Sequence, residues 1–409
     1  MNPQASTNIR SLIINILSNS SFDLLSRSRK RFVKNALIAF LSIKGRINFL
    51  QLGRFGAYCE STNRVNFEEN FNFLEFNKIL ISEVAENVII GFDPSYLSKS
   101  GKETPGVGYF WSGVANQTKW GLEICGFAAI DSKRNTAFHL KAFQTPCSEE
   151  LDLLKMTQLS FYASLITQEA AELKKLSQYI VADAYFSKLP FVKAVSQAKM
   201  FFITRLRSDS NLRYIYNGST TGKRGRTKKY DGKIDYKNLD MNHFKLELQN
   251  EEMKVYGAIV NSVAFKKDIK VAVVEYLKDG KIAHRKIYCS TNMKQETLEI
   301  LTHYQARFQM EFVFRDAKQF TGLNTCEARS KNKIDFHINT SLTTVNLAKA
   351  DWFSEITNIG KPFSMADYKT HFNNELMIDL FMCKFGIKPN RPKNKRIKQE
   401  LLDYGKIAA

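Results

Sequence analysis

Four side chains in the stretch YQARFQMEFVFRDAKQ, Tyr304 to Gln319, have types and a spacing suited to phosphate chemistry. Read as one helix at about 100° per residue, Tyr304, Arg307, Glu311 and Lys318 fall within roughly 60° of one another around the axis. Phe308 and Phe312 flank that stripe, and Phe314 lies on its other side. A carboxylate between two cations and a phenol could help to bind a metal and a phosphate chain. The same residues could instead form a solvated face with an Arg307–Glu311 ion pair, worth roughly a few tenths of a kcal/mol.

Two further acids stand where apolar runs end. NVIIGFDPS reads as a buried strand stopping at Asp93, with Pro94 preventing continuation. YIVADAYFS repeats the pattern and stops at Asp183. Strand ends of an α/β sheet are where side chains leave the core and sites form. Each acid also has a plain structural reading: Asp93 as a strand-ending turn, Asp183 as a helix cap. If Asp93, Asp183 and Glu311 converge, their mutual repulsion calls for cations. Two Mg²⁺ ions about 3.5–4 Å apart would neutralise them and clamp both oxygens of a phosphodiester displacement.

The elements that must position these acids follow from periodicity. RKRFVKNALIAFLSIKG reads as a helix with a stop at Gly45. INFLQLGRFG and the stretch after CESTNRVNFEEN read as two shorter helices, loosely like a helix-turn-helix module or equally a plain bundle. The period then changes: WGLEICGFAAID and NTAFHLKAFQTP join the first strand at hairpin distances. Ser148 and Glu149 open a long helix to about Ser177; a helix from about Ser187 and the strand KMFFITRL follow Asp183. After a Gly/Lys/Arg loop, KLELQ, MKVYGAIVNSVAF, IKVAVVEYL and AHRKIYCS form a β-rich module. Asn292, with Gln295 three residues on, is the expected start of the acidic helix and Gly322 its stop. A further helix is expected from Phe336 to Ile356, then short helices and a basic tail.

Across 409 residues the net charge is +20, which favours a polyanionic partner, nucleic acid rather than a membrane surface. Three segments concentrate it. Arg10 to Arg54 holds nine Lys/Arg against Asp23; Arg205 to Lys237 holds ten against three acids; Lys388 to Lys398 holds six and no acid. Singly, such runs are solvated faces or mobile tails; together they fit an extended nucleic-acid track. The middle run offers Lys223, Arg224, Arg226, Lys228 and Lys229 as DNA contacts. The six cysteines and six histidines show no metal-ligand spacing, so carboxylates would hold any metal, which selects magnesium or manganese. No apolar run reaches the length of a membrane span, and the first residues lack a secretion-signal pattern; the expectation is a cytosolic chain.

The spacing Tyr304-x2-Arg307-x3-Glu311-x6-Lys318 resembles the YREK signature of bacterial insertion-sequence transposases, a group of DDE transposases, within insertion-sequence family four. Asp93 and Asp183, 90 residues apart, and Glu311, 128 further on, stand where that family's three acids belong. The resemblance runs from about Glu86 to Lys349. It implies an α/β, RNase H-like mixed sheet flanked by helices, with a β-rich insertion before the glutamate. The corresponding regions are an N-terminal helical DNA-binding region (1–85), a catalytic domain in two parts (86–205 and 291–352), the insertion (206–290) and a C-terminal helical region with a basic tail (353–409). It further implies Asp93, Asp183 and Glu311 as ligands of two Mg²⁺ ions, for which Mn²⁺ may substitute. Tyr304, Arg307 and Lys318 would hold transposon-end DNA. The implied partners are double-stranded DNA, as terminal inverted repeats and target, and a second protomer in the synaptic complex; the implied place is the bacterial nucleoid. The segment DAYFS departs from the family beyond its aspartate, so nothing else is carried over there. Tyr288 or Tyr276 could stack on a base, and His337 could approach the metals; packing is the competing reading for all three. Two rival functions share the acids: an RNase H-like DNA nuclease or resolvase, and an inactive transposase-derived DNA-binding protein.

Overall fold

Capping side chains and apolar periodicity set the first five helices, α1 (Gln4–Leu17), α2 (Arg27–Ser42), α3 (Phe49–Phe55), α4 (Glu60–Asn66) and α5 (Phe73–Ser82). The structure is a computed structural model that describes residues 4–218, 227–355, 358 and 361–407. Ser26, Asn48 and Asn72 each accept the backbone N–H of the residue three positions on, which satisfies a donor the helix leaves open. Gly45 turns the chain after α2 at φ +82°, a conformation that suits glycine. These helices do not stand apart. Phe32, Phe67 and Phe73 pack around Phe336, with ring centroids 6.1, 4.6 and 5.4 Å away, and so share a core with the later helices.

The sheet begins with β1 (Ile89–Ser98), β2 (Gly108–Ser112), β3 (Gln117–Asp131) and β4 (Thr136–Gln144). Then come α6 (Ser148–Leu153), α7 (Gln158–Leu173), β5 (Tyr179–Ala182), α8 (Leu189–Gln197) and β6 (Phe201–Leu206). The insertion supplies β7 (Leu212–Ile215), β8 (Tyr230–Lys233), β9 (Lys245–Gln249), β10 (Met253–Ser262), β11 (Lys267–Lys278) and β12 (Lys281–Ser290). Helices finish the chain: α9 (Thr297–Ala306), α10 (Gln309–Phe320), α11 (Lys331–Ser354), α12 (Met365–Lys384) and α13 (Pro392–Leu402). The order β4-β3-β1-β5-β6, antiparallel through β1 and parallel beyond it, is consistent with the expected RNase H-like sheet.

Period two along the strands divides the core in two. Ile89, Ala128, Ile130, Val181, Ala272 and Val274 point to the face covered by the N-terminal helices, α10 and α11. Their neighbours Ile90, Ala129, Ile180, Val271 and Val273 point to the face covered by α7 and α8. Among the described residues the outer edge of β4 meets no strand along Ala137–Ala142; side-chain amides of α11 take that place. Asn346 accepts from His139 N (2.8 Å) and donates to His139 O (2.7 Å); Asn339 accepts from Ala142 N (2.9 Å) and donates to Ala142 O (3.1 Å). Two turns of helix and three residues of strand both span roughly 10 Å, so the spacings match.

Two expectations are corrected here. The strand read as ending at Asp93 runs on through Pro94 to Ser98 against β3, because β5 pairs with β1 only as far as Phe92 and leaves an open edge that tolerates proline. The long helix from Ser148 breaks into α6 and α7 where Lys155 adopts φ +52° and Thr157 starts a new capping box. The β-rich insertion, which interrupts the expected catalytic domain in sequence, continues the same sheet, with β12 hydrogen-bonded to β6. The elements α1, α4, β2, β7 and β8 went unread. The basic tail is helical from Pro392 to Leu402, where Arg396 pairs with Glu400 at 3.3 Å.

Candidate active site

Asp93 and Asp183 each follow a residue of the α7–α8 face, Phe92 and Ala182, so alternation turns both acids to the opposite face. That face carries the junction of α9 and α10. The stripe read as one helix is split there. Arg307, Phe308, Met310 and Glu311 each donate their backbone N–H to the carbonyl three residues back, so the chain overwinds without leaving helical space. Tyr304 ends up on α9, Arg307 in the junction, and Glu311 and Lys318 on α10.

Tyr304, Arg307 and Lys318 nevertheless reach β1 or the residue after β5, and Glu311 is joined to them through Arg307. The Arg307 guanidinium lies between two acids, 3.4 Å from Asp93 Oδ1 and 2.9 Å from Glu311 Oε1. Tyr304 Oη donates to Asp183 Oδ1 at 3.2 Å, and Lys318 Nζ donates to Ser95 Oγ at 2.8 Å. Asp183 also plays the plain part foreseen for it: its carboxylate accepts from Ala184 N at 2.6 Å and caps a single 3-10 turn, while Thr204 holds its carbonyl at 3.1 Å. The side chains of Asp93 and Arg307 are 16% and 13% exposed, against 43% for Glu311, so the glutamate is the solvent-facing member.

Electrostatics binds these groups into one system. Burial pushes the Asp93 carboxyl up to about 7; Arg307 opposes the rise, while Glu311, Asp183 and the more remote Glu123 add to it. Burial works against the charge on Arg307, but Asp93, Tyr304, Asp183 and Glu311 together hold its pKa above the ordinary value. Burial lowers Lys318, with Asp93 resisting, and burial followed by Asp183 lifts Tyr304 to about 12. Positive charge therefore stabilises this site, and one guanidinium serves two carboxylates. Among the described residues no three Asp, Glu, His or Cys side chains are gathered as a ready ligand set. The donor chemistry still fits a hard divalent ion: anionic oxygens from two strand ends and a helix, with a buried acid that extra positive charge would ionise.

The other candidates fall elsewhere. Lys223, Arg224 and Arg226 lie outside the described residues. Lys228 pairs with Asp231 at 2.6 Å and covers the Tyr216 ring, and Lys229 is exposed. Tyr288 is buried against Tyr304, ring centroids 4.9 Å apart; Tyr276 lies 3.3 Å from the Tyr288 hydroxyl and stacks on His284. His337 is buried, its Nε2 bonded to Gly322 O at 2.8 Å, and serves packing rather than the acids. Asn292 caps a turn before the helix instead of the helix itself, which starts at Thr297. Ser95 and Thr204 are the site residues that went unread. Ser95 sits two positions after Asp93, and that period-two spacing was the available signal.

Residues 163–347 match the family model described as the transposase DDE domain. The matched segment holds Asp183, Tyr304, Arg307, Glu311 and Lys318, and Asp93 precedes it. The match supports a DDE transposase and, with it, DNA as a partner. No curated protein matches the chain. No helix among the described residues is long and apolar enough to cross a membrane.

Proposed function

We propose that the chain is the DNA transposase of a bacterial insertion sequence, cutting at the terminal inverted repeats and joining the freed ends to target DNA as a homodimer. The observation that carries this reading is the sharing of one guanidinium by Asp93 and Glu311, with Asp183 tied to the same helix junction by Tyr304. Asp93, Asp183 and Glu311 would hold two Mg²⁺ ions, or Mn²⁺ in their place, which when bound supply Lewis-acid activation of water and stabilisation of the displaced oxygen. In the first step water oxygen bonds to phosphorus at the element end and the strand's 3′-oxygen leaves. In the second, that 3′-hydroxyl attacks a target phosphodiester and expels its 3′-oxygen, so no covalent link to the protein is required.

The chain's own groups position the DNA. Arg307, relieved of its acids, and Lys318 would meet phosphate oxygens, and the Tyr304 phenol would donate a hydrogen bond. The basic N-terminal helices and the insertion would extend the contact along the repeat.

Glu311 is the most exposed of the three acids, so its amide variant tests the reading with little risk to the fold. With a labelled element end and Mg²⁺, Glu311→Gln should lose cleavage by about a hundred-fold or more, while end binding survives within a few-fold. Cleavage near the wild-type level would refute the ligand role.

A further inference from the structure

The sheet register sets a third side chain in line with the two strand-end acids. β1 pairs with β5 as far as Phe92–Ala182, and β5 pairs with β6 as far as Val181–Ile203. Asp183 is still extended, at φ −65° and ψ 166°, and Thr204 Oγ1 donates to its carbonyl at 3.1 Å, which keeps β6 alongside. Carried on at the same register, Asp93 and Asp183 fall side by side and Arg205 takes the next place, with Tyr288 of β12 directly opposite it. Alternation gives Arg205 the face of Ile203 and Tyr288, which is the face of the acids. Adjacent strands lie about 4.8 Å apart, so the backbone of Arg205 stands roughly 10 Å from that of Asp93.

The chain makes no use of this charge. Arg205 is half-buried, and among the described residues its guanidinium has no hydrogen bond or ion pair. Asp93 and Glu311 take their cation from Arg307 instead. The groups beside Arg205 are phenols: burial raises both Tyr304 and Tyr288, and Arg205 is among the charges that oppose the two shifts. Held above their usual range, both phenols stay neutral at pH 7 and leave the guanidinium uncompensated. A half-buried cation on an acid-bearing face calls for an anion from outside, and a planar fork suits a phosphate. Lys318, bonded to Ser95, lies along β1 from Asp93, whereas Arg205 lies across the strands from it. A DNA strand laid across β1, β5 and β6 therefore meets the acids and then Arg205. At about 3.4 Å of axis per nucleotide, roughly 10 Å corresponds to at most about three nucleotides.

We propose that Arg205 binds a backbone phosphate within about three nucleotides of the bond to be cut, on the β6 side of the acids, and so fixes which phosphate enters the acid cluster. The proposal rests on the reading of the chain as a DNA-cutting enzyme, and deepens it by giving the strand its direction over the sheet.

The test uses the full chain, Mg²⁺ and a labelled element end in which single phosphates, over about three positions on each side of the cut, are replaced by uncharged methylphosphonates. At one position the replacement should lower wild-type cleavage about ten-fold, and Arg205→Ala should lower cleavage of the unmodified end by about the same factor. Together these two losses should not multiply: at that position Arg205→Ala should cleave the replaced and unmodified ends within about two-fold of each other. At the remaining positions the losses should multiply. Arg205→Lys, which keeps the charge and most of the stem, should recover part of the activity and regain sensitivity to the same position, which a packing role would not produce. Losses that multiply at every position, or cleavage by Arg205→Ala near the wild-type level, overturn the Arg205 contact and leave the enzyme reading standing. Failure of the wild-type chain to cleave the unmodified end overturns both.

Discussion

Arg307 decides how the acids behave before any DNA arrives. Its guanidinium reaches Asp93 and Glu311 together, a forked geometry that the single ammonium of lysine does not reproduce. The pair of contacts links the buried acid to the exposed one, and Arg307 opposes the rise that burial and the neighbouring acids impose on Asp93. Arg307→Lys should therefore lower cleavage of a labelled end by about ten-fold or more, yet weaken end binding by only about two- to three-fold, since a positive charge remains. Equal losses in cleavage and binding would mean that Arg307 is a DNA contact and nothing more. At this scale the sequence was informative because strand-end acids and a helical stripe are local patterns. Arg307 was read as a DNA contact, and its bond to Asp93 was invisible, since it joins residues far apart in the chain. Ser95 escaped notice because a serine in a strand carries no signal until a lysine is seen to reach it.

The element that most depends on side-chain chemistry is β4. Its edge is closed by Asn339 and Asn346, and Asn346 also donates to Asn77 Oδ1 at 2.9 Å, which ties α5 to the same seam. An open buried edge would leave backbone groups unpaired, at about 1–3 kcal/mol for each. Asn346→Leu keeps the volume but removes these bonds. It should destabilise the fold by about 3–5 kcal/mol in urea unfolding and speed amide exchange at His139. A loss below about 1 kcal/mol would show that water or a shifted strand satisfies the edge instead. Asn339 and Asn346 stand seven residues apart on a helix that also carries Lys, Asp, His, Ser and Thr, so their spacing alone did not mark them, and only the structure reveals the strand they serve. The same holds for the break at Arg307: its residues have ordinary helical preferences, and the overwinding appears only in hydrogen bonds to the third residue back. The division at Lys155 was hidden for a different reason, since a lysine with positive φ leaves no mark in composition.

For the molecule as a whole, two buried lysines make stability depend on pH. Lys349 donates to Ala137 O at 2.9 Å and burial lowers its pKa to about 8; Lys369 donates to Phe40 O at 2.5 Å and burial, then Lys44, lowers its pKa to about 7. Above those values the folded chain has shed protons that the unfolded chain keeps up to about 10.4, so stability rises with pH through this window. The two lysines contribute a penalty on the order of a few kcal/mol at pH 7 that is relieved toward pH 10. Urea midpoints measured at pH 7 and pH 9 should rise for the wild type and rise distinctly less for Lys369→Met; equal rises would assign the effect to other groups. The broad architecture was legible because continuous apolar runs mark β1, β3, β5 and β11 as buried strands. The joining of the insertion to the catalytic sheet was not, since strand order across β6 and β12 is decided by pairing over a long separation. Everything at this scale serves one claim, that Asp93, Asp183 and Glu311 act as a single cation-holding centre. The most direct measurement is Mn²⁺ binding, read by electron paramagnetic resonance, to the full chain on a duplex end. The account predicts that Asp93→Asn, Asp183→Asn and Glu311→Gln each weaken Mn²⁺ binding by about ten-fold or more with the duplex still bound. Wild-type Mn²⁺ affinity in all three variants would contradict it.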